Sequence, residues 1–117
     1  MVNSKLIGKK AEDMAVTYLK RKGYRVIERN YSNKIGEIDI IAFEGGQLVY
    51  IEVKARKSSA YGLPMESVNY RKQMKLRQVA QSYLKQHEMP EASCRFDVVS
   101  IILNENQSDI QLIKNAF

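Results

Sequence analysis

Two stretches of the chain show the spacing of apolar residues that is typical of amphipathic helices. The first runs from about residue 5 to residue 22, and Gly23 follows it as a stop signal. The second runs from about residue 67 to residue 87. Its apolar positions form one stripe at helical spacing, made of Leu76, Val79, Ala80, Tyr83 and Leu84. The pattern therefore predicts two helices, each with one face against a core.

The other apolar runs have the composition of strands. They cover about residues 24–31, 37–44, 47–55, 95–103 and 110–113, with a loop predicted over 56–66 and a turn over 104–108. The order of elements is then α-β-β-β-α-β-β. A helix on either face of a mixed sheet fits this order. The sequence thus predicts one α/β domain over residues 1–117, a three-layer α/β/α sandwich with a mixed central sheet.

Charged residues interrupt the second and third predicted strands. The pair Gly45-Gly46 between these strands is a signal for a two-residue hairpin loop. Counting back from that loop places Asp39 opposite Glu52, and Glu37 opposite Lys54. Opposed Cβ atoms lie roughly 4.5–5.5 Å apart, where like charges are destabilising. A divalent cation, Mg²⁺ or Mn²⁺, is the simplest group to hold two such carboxylates together.

This arrangement has the parts of a hydrolytic site. Lys54 lies two residues after Glu52, so both side chains share one face of the strand. A metal polarises a phosphoryl oxygen and lowers the pKa of bound water, and a nearby lysine can orient that water or accept its proton. The alternative is an edge hairpin with exposed, salt-bridged charges. Long apolar flanks on both strands favour a central position and the functional interpretation.

Charge and cysteine content narrow the function classes. The 117 residues include 19 Lys and Arg against 13 Asp and Glu, a net charge of +6, which favours a polyanionic partner such as nucleic acid. Cys94 is the one cysteine, so no intramolecular disulfide can form. The sequence has no apolar run long enough for a signal peptide or a membrane span. We therefore expect a cytoplasmic protein without membrane association.

Several stretches of the chain match one known family. They are Gly8-Lys9-Lys10-Ala11-Glu12, Gly36-Glu37-Ile38-Asp39-Ile40-Ile41, Ile51-Glu52-Val53-Lys54-Ala55-Arg56, Val68-Asn69 with Arg71-Lys72-Gln73, Arg95-Phe96-Asp97-Val98-Val99 and Lys114-Asn115-Ala116-Phe117. The chain resembles the YraN-like family of small bacterial predicted endonucleases. That family is a branch of the PD-(D/E)xK nuclease superfamily, which includes archaeal Holliday-junction resolvases. The resemblance implies a restriction-endonuclease-like fold. It also implies metal ligands at Asp39, Glu52, Val53 and Glu12, although Ile38 replaces the proline that precedes the aspartate in the superfamily pattern.

Three further residues are candidates for supporting roles. By resemblance to the resolvases, Glu12 on the first helix completes the metal shell; the alternative is a surface pair with an arginine or lysine. Continuing the stripe of the second helix backward from Leu76 reaches Lys72 and Gln73, which should point toward the sheet. A polar group there needs a partner, such as a metal-bound phosphate or an active-site carboxylate. The alternative for Lys72 is a lysine that reaches out to solvent.

The sequence thus predicts a Mg²⁺-dependent DNA endonuclease that acts on branched or otherwise structured DNA. Asp39, Glu52 and Lys54 would carry the reaction, with Glu37, Glu12, Lys72 and Gln73 in support. Basic residues that flank the expected cleft suit phosphate contacts: Arg56, Lys57, Arg71, Lys75 and Arg77. The alternative is a non-catalytic nucleic-acid-binding module or a protein-interaction subunit of a DNA repair or recombination complex. Oligomeric state, including a homodimer, is left open.

Overall fold

The structure is a computed structural model that describes residues 4–56, 68–103 and 108–117. Two helices and five strands follow one another in the predicted order. Their bounds are α1 (Ser4–Arg21), β1 (Arg25–Ser32), β2 (Glu37–Glu44), β3 (Gln47–Arg56), α2 (Tyr70–Gln86), β4 (Cys94–Leu103) and β5 (Ser108–Ile113). Neither helix is long and apolar enough, within the described residues, to cross a membrane.

The five strands form one mixed sheet in the order β1-β2-β3-β4-β5. Neighbouring strands are antiparallel except for β3 and β4, which run parallel and are joined through α2. A parallel pair needs such a crossover because a tight turn cannot return the chain to the same end of the sheet. The predicted class is confirmed: this is a restriction-endonuclease-like α/β sandwich.

Each helix covers its own face of the sheet with an apolar core. On one face, Ala11, Ala15 and Leu19 of α1 pack with Ile40 and Ile51. On the other face, α2 packs on a second cluster, which includes Ile41, Leu48, Tyr50, Val68, Leu76, Val79, Tyr83, Phe96 and Val98. The central strands are therefore buried on both sides, which explains their nearly continuous apolar runs.

The predicted boundaries are close to those observed. The helix predicted from residue 67 begins at Tyr70 because Asn69 is its N-cap: the Asn69 side chain accepts a hydrogen bond from the Lys72 backbone N–H at 2.9 Å. The last strand begins at Ser108, and the ladder pairs it with Leu103. The predicted loop lies outside the described residues except for Arg56, the last residue of β3. So do residues 104–107 of the predicted turn.

The hairpin loop between β2 and β3 is the predicted Gly45-Gly46 pair. Both glycines have positive φ, 60° and 74°, which a side chain would disfavour. The ladder pairs Glu44 with Gln47 and continues in the predicted register to the pair of Ile40 and Ile51.

Candidate active site

The candidate site lies where β2 and β3 separate. Their ladder ends at the pair of Ile40 and Ile51, although β2 continues beside β1 and β3 continues beside β4. The pairing therefore stops one step short of the predicted pair, Asp39 and Glu52. At this step a side-chain hydrogen bond replaces the backbone pairing: Asp39 Oδ2 accepts a hydrogen bond from the Val53 backbone N–H at 2.8 Å. The expected pair of Glu37 and Lys54 is likewise absent from the ladder.

The chain also reverses its faces at Asp39. Ile38 lies in the α2 core and Ile40 lies in the α1 core, although residues two apart in a regular strand share a face. The neighbouring strand is irregular at the same level, where Asn30 has a φ of 54°. Asp39 thus faces α1 and lines a cleft of about 440 Å³ together with Gly8, Ala11, Glu12, Val53, Lys54 and Ala55.

Glu52 accepts a hydrogen bond from one lysine and forms a longer ion pair with a second. Its carboxylate is buried, and its Oε1 lies 2.7 Å from Lys72 Nζ and 3.6 Å from Lys54 Nζ. Lys54 comes from the same strand, whereas Lys72 reaches across from the first turn of α2. Lys72 therefore has the carboxylate partner that its place on an apolar stripe required.

The pKa of Asp39 is raised from 3.8 to about 7. Burial is the main cause, and the charge of Glu52 is the second. The Val53 N–H opposes this shift, while Glu37 and Glu12 add to it at longer range. A nearby cation would favour the ionised form of Asp39.

The two lysines differ in how firmly they hold a proton. Burial and the adjacent Lys72 lower the pKa of Lys54. Burial is the largest influence on Lys72 and acts to lower its pKa, but the hydrogen bond to Glu52, the contact with Lys54 and the charges of Glu52 and Asp39 together outweigh it, so the pKa is raised. Lys54 is thus the easier of the two to deprotonate, as a proton acceptor in the cleft would need to be.

Glu12 forms the predicted surface pair with an arginine and also lines the cleft. It lines the cleft beside Asp39, and its Oε1 accepts hydrogen bonds from Arg29 Nε and Asn30 Nδ2, each at 2.9 Å. Arg29 also bonds Asp13 at 2.6 Å. Sequence reasoning missed Arg29 and Asn30. An asparagine inside a strand was the available signal, since asparagine tolerates positive φ better than most residues.

The other predicted supporting residues lie further from the centre. Glu37 is exposed and acts on Asp39 only through its charge. Gln73 donates its side-chain amide to the Val68 backbone oxygen at 2.9 Å, so it fastens the chain before α2 rather than facing Glu52.

The predicted phosphate-binding residues differ in their exposure and in their contacts. Arg71 and Lys75 are exposed on α2, and Arg56 is half-buried at the end of β3. Lys57 lies outside the described residues. The Arg77 guanidinium lies over the rings of Phe96 and Phe117, 5.1 and 5.7 Å from their centroids, so that side chain is already engaged in cation–π contacts.

The donor chemistry fits a hard divalent cation. Asp39 and Glu52 offer carboxylate oxygens, and the apolar Val53 could offer only its backbone carbonyl. In the ranges that the structure describes, no three His, Cys, Asp or Glu side chains converge as a ready metal cage. The acidic groups are engaged by protein donors instead: Lys72 on Glu52, Arg29 on Glu12 and the Val53 N–H on Asp39.

Fold and site together define a restriction-endonuclease-like α/β domain in which two carboxylates and two lysines meet where a pair of strands separates. The chain belongs to UPF0102: the family model described as "Uncharacterised protein family UPF0102" matches residues 11–101. A UPF0102 protein of Desulforamulus reducens is 48% identical over 119 residues, covering 98% of each chain. One from Alkaliphilus oremlandii is 47% identical and covers 97% of this chain and 99% of its own. One from Caldicellulosiruptor saccharolyticus is 41% identical, covering 99% and 100%.

Proposed function

We propose that this protein is a metal-dependent DNA endonuclease of the PD-(D/E)xK superfamily, related to archaeal Holliday-junction resolvases. The observation that carries the proposal is the meeting of Asp39, Glu52 and Lys54 where β2 and β3 separate. Asp39 and Lys54 line the cleft, and Glu52 Oε1 lies 3.6 Å from Lys54 Nζ. The pKa of Asp39 is raised and that of Lys54 is lowered. Perturbed pKa values in a cleft are typical of functional sites. Branched or otherwise structured DNA is the proposed substrate class, and the cytoplasm the proposed location.

Asp39, Glu52 and the Val53 carbonyl would hold the cation, with Glu12 at the α1 side of the cleft. A bound Mg²⁺ or Mn²⁺ supplies Lewis-acid polarisation of the phosphodiester and of water. Lys72 neutralises Glu52 in the structure described here, at 2.7 Å, and is placed to turn toward a phosphate oxygen once that carboxylate has another partner.

Lys54 is the residue proposed to handle the proton. Water attacks phosphorus, one P–O ester bond breaks, and the leaving oxygen takes a proton from solvent, which gives a phosphate monoester and a free hydroxyl. Lys54 in its neutral form accepts the proton that the attacking water loses. Its lowered pKa, caused by burial and by Lys72, makes that form accessible.

The test is a cleavage panel of linear, nicked, flapped and four-way DNA with Mg²⁺, Mn²⁺ or chelator. We expect metal-dependent cleavage by the wild type, and a loss of ~10²-fold or more in Asp39→Asn, Glu52→Gln and Lys54→Met, because each removes a group that acts in the transition state. Asp109→Asn and Lys85→Met, exposed residues outside the cleft, are the matched controls and should cleave normally.

Three results would count against this proposal, the first against the role of Lys54 and the other two against the activity itself. Full activity in Lys54→Met would remove the proton acceptor from the account. Absence of cleavage on every substrate, with DNA binding retained in chelator, would instead favour the non-catalytic nucleic-acid-binding module. Absence of both cleavage and binding would favour a protein-interaction subunit.

A further inference from the structure

The start of α2 presents an apolar side chain to solvent where none is needed for packing. Tyr70 is 75% exposed, far more than the other large apolar side chains that the described residues expose, which range from 37% to 40%. Met74 follows one helical turn later on the same side and is 39% exposed. An aromatic ring beside a thioether forms an apolar patch at the helix end that carries Lys72.

Basic side chains connect this patch to Lys72 and the Glu52 side of the candidate site. Lys72 faces the sheet, because its Nζ bonds Glu52. Successive helix positions rotate by about 100°, which places Lys75 about 60° round the helix from Lys72 and Arg71 about 100° round in the same direction. Met74 follows at about 160° and Tyr70 at about 200°. Arg71 and Lys75 are both exposed, so a band of positive charge runs from Lys72, beside Glu52, to the Tyr70–Met74 patch.

This order of groups matches the backbone and bases of one nucleic-acid strand. Cations that track phosphates, with an aromatic ring for a base, are the two parts of sites that bind single strands without sequence preference. Inside a paired duplex, away from its two ends, both faces of each base are already covered by neighbouring bases. An exposed tyrosine can therefore stack only on a base that is unpaired, as in a flap, a gap or a junction.

We propose that Tyr70, supported by Met74, is a stacking platform for an unpaired base of the strand whose phosphates are held by Arg71 and Lys75. The inference rests on the proposed function in that both take DNA as the ligand. It adds the substrate feature recognised, which is a single-stranded stretch beside the cleft.

The experiment measures binding in chelator, where no cleavage can occur. The probes are a labelled oligothymidylate of about 12 nucleotides, within the site sizes of single-strand binders, and a blunt duplex of the same length. We expect Tyr70→Ala to weaken binding of the single strand about fivefold or more, since removal of an aromatic platform typically costs at least that much. Tyr70→Phe, which keeps the ring, should bind within about twofold of the wild type. Gln81→Ala, exposed further along the same helix face, is the matched control and should leave binding unchanged.

The duplex separates stacking from charge. All four proteins should bind it alike, because Tyr70 carries no charge. Quenching of a fluorescent adenine analogue in the single strand should occur with the wild type and Tyr70→Phe, and be lost with Tyr70→Ala. Equal binding of the single strand by wild type and Tyr70→Ala would overturn the platform, as would an equal loss on the duplex. A wild-type dimer in sedimentation that Tyr70→Ala abolishes would assign the patch to a second copy of the chain instead.

Failure of the platform and failure of the nuclease proposal remain distinct. If binding of single strands depends on Tyr70 but no DNA is cleaved with Mg²⁺ or Mn²⁺, the stacking platform stands and the nuclease proposal is rejected. If the wild type cleaves DNA with metal, and Tyr70→Ala binds single strands as well as the wild type does, the nuclease proposal stands and the stacking platform is rejected.

Discussion

At the scale of the residue, Asp39 is the most informative side chain. It gives one oxygen to the Val53 N–H and lies close enough to Glu52 for each charge to disfavour the other. Because burial and Glu52 raise its pKa to about 7, the folded protein binds a proton at this carboxyl more tightly than the unfolded chain does. An unligated Asp39 therefore makes the fold less stable as it ionises.

The sign of this effect gives a prediction. In chelator, the stability that protonated Asp39 contributes is complete below its ordinary pKa of 3.8 and is lost as the pH rises through its folded pKa of about 7. As the pH rises from 3.8 to about 7, the free energy of unfolding of the wild type should therefore decrease relative to that of Asp39→Asn. Near pH 8 the variant should be as stable or more stable, by ~0.5–1 kcal/mol. Urea unfolding of both proteins across this range is the measurement, and parallel curves would count against the coupled carboxylates.

The sequence identifies single residues where their chemistry alone selects them. Asp39, Glu52 and Lys54 stand out as charges inside apolar strands, and the structure has Asp39 and Lys54 in the cleft and the Glu52 carboxylate beside Lys54. The Asp39 contact to Val53 could not be predicted, because strand pairing was extrapolated past the point where it ends. Nor could the place of Gln73, since helical spacing gives a direction and not a bonding partner.

At the scale of the element, β1 and β2 reverse their faces together. Asn30 has a φ of 54°, so both it and Arg29 reach Glu12 on α1, whereas Tyr31 packs in the α2 core. On β2 the same step turns Asp39 into the cleft. Strict alternation, the rule by which a strand is interpreted from sequence, fails here, and no periodicity could have shown it.

A pair of substitutions at Asn30 tests this backbone conformation. At positive φ, alanine is about 1 kcal/mol less favourable than glycine. Both remove the hydrogen bond to Glu12, so their difference isolates the backbone. Asn30→Gly should be more stable than Asn30→Ala by about that amount, the reverse of the usual order in strands. The check is the midpoint of urea unfolding, and a more stable alanine variant would refute a left-handed Asn30.

At the scale of the whole molecule, a buried polar network joins distant parts of the chain. Arg95 bonds Asp97, Glu44, Gln47 and the Tyr24 hydroxyl, and the Asn115 backbone N–H also donates to Asp97. The network connects the segment after α1, the hairpin, β4 and the C-terminal residues, and its geometry keeps Asp97 fully buried. In the described ranges, no buried side-chain nitrogen or oxygen lacks a hydrogen-bond partner.

Two cations at one glutamate give a matched comparison. Arg95 and Lys114 both contact Glu44 Oε1, at 2.6 and 3.3 Å, but Arg95 also neutralises the buried Asp97. Arg95→Met should lower the free energy of unfolding by about 3 kcal/mol, because a buried charge loses its partner. Lys114→Met should cost less than about 1 kcal/mol, as exposed pairs do. Denaturant unfolding measures both, and equal losses would show that Asp97 does not depend on Arg95.

The fold was predictable at this scale and the network was not. Element order and one Gly-Gly hairpin were enough for a mixed sheet between two helices, and the structure confirms it. From the sequence, Asp97 appears only as part of a stretch that matches the family. Its connections to Tyr24 and Asn115 join residues far apart in sequence, which no local pattern encodes.

The most direct test of the account is whether a divalent cation binds between Asp39 and Glu52. The measurement is the unfolding midpoint of the wild type, Asp39→Asn and the control Asp109→Asn, each in chelator and in millimolar Mn²⁺. We predict that metal stabilises the wild type and Asp109→Asn alike, by about 2.7 kcal/mol at a hundred times the Kd. Asp39→Asn should be nearly unaffected. An equal shift in all three proteins, or none in the wild type, would contradict the metal site and with it the proposed nuclease.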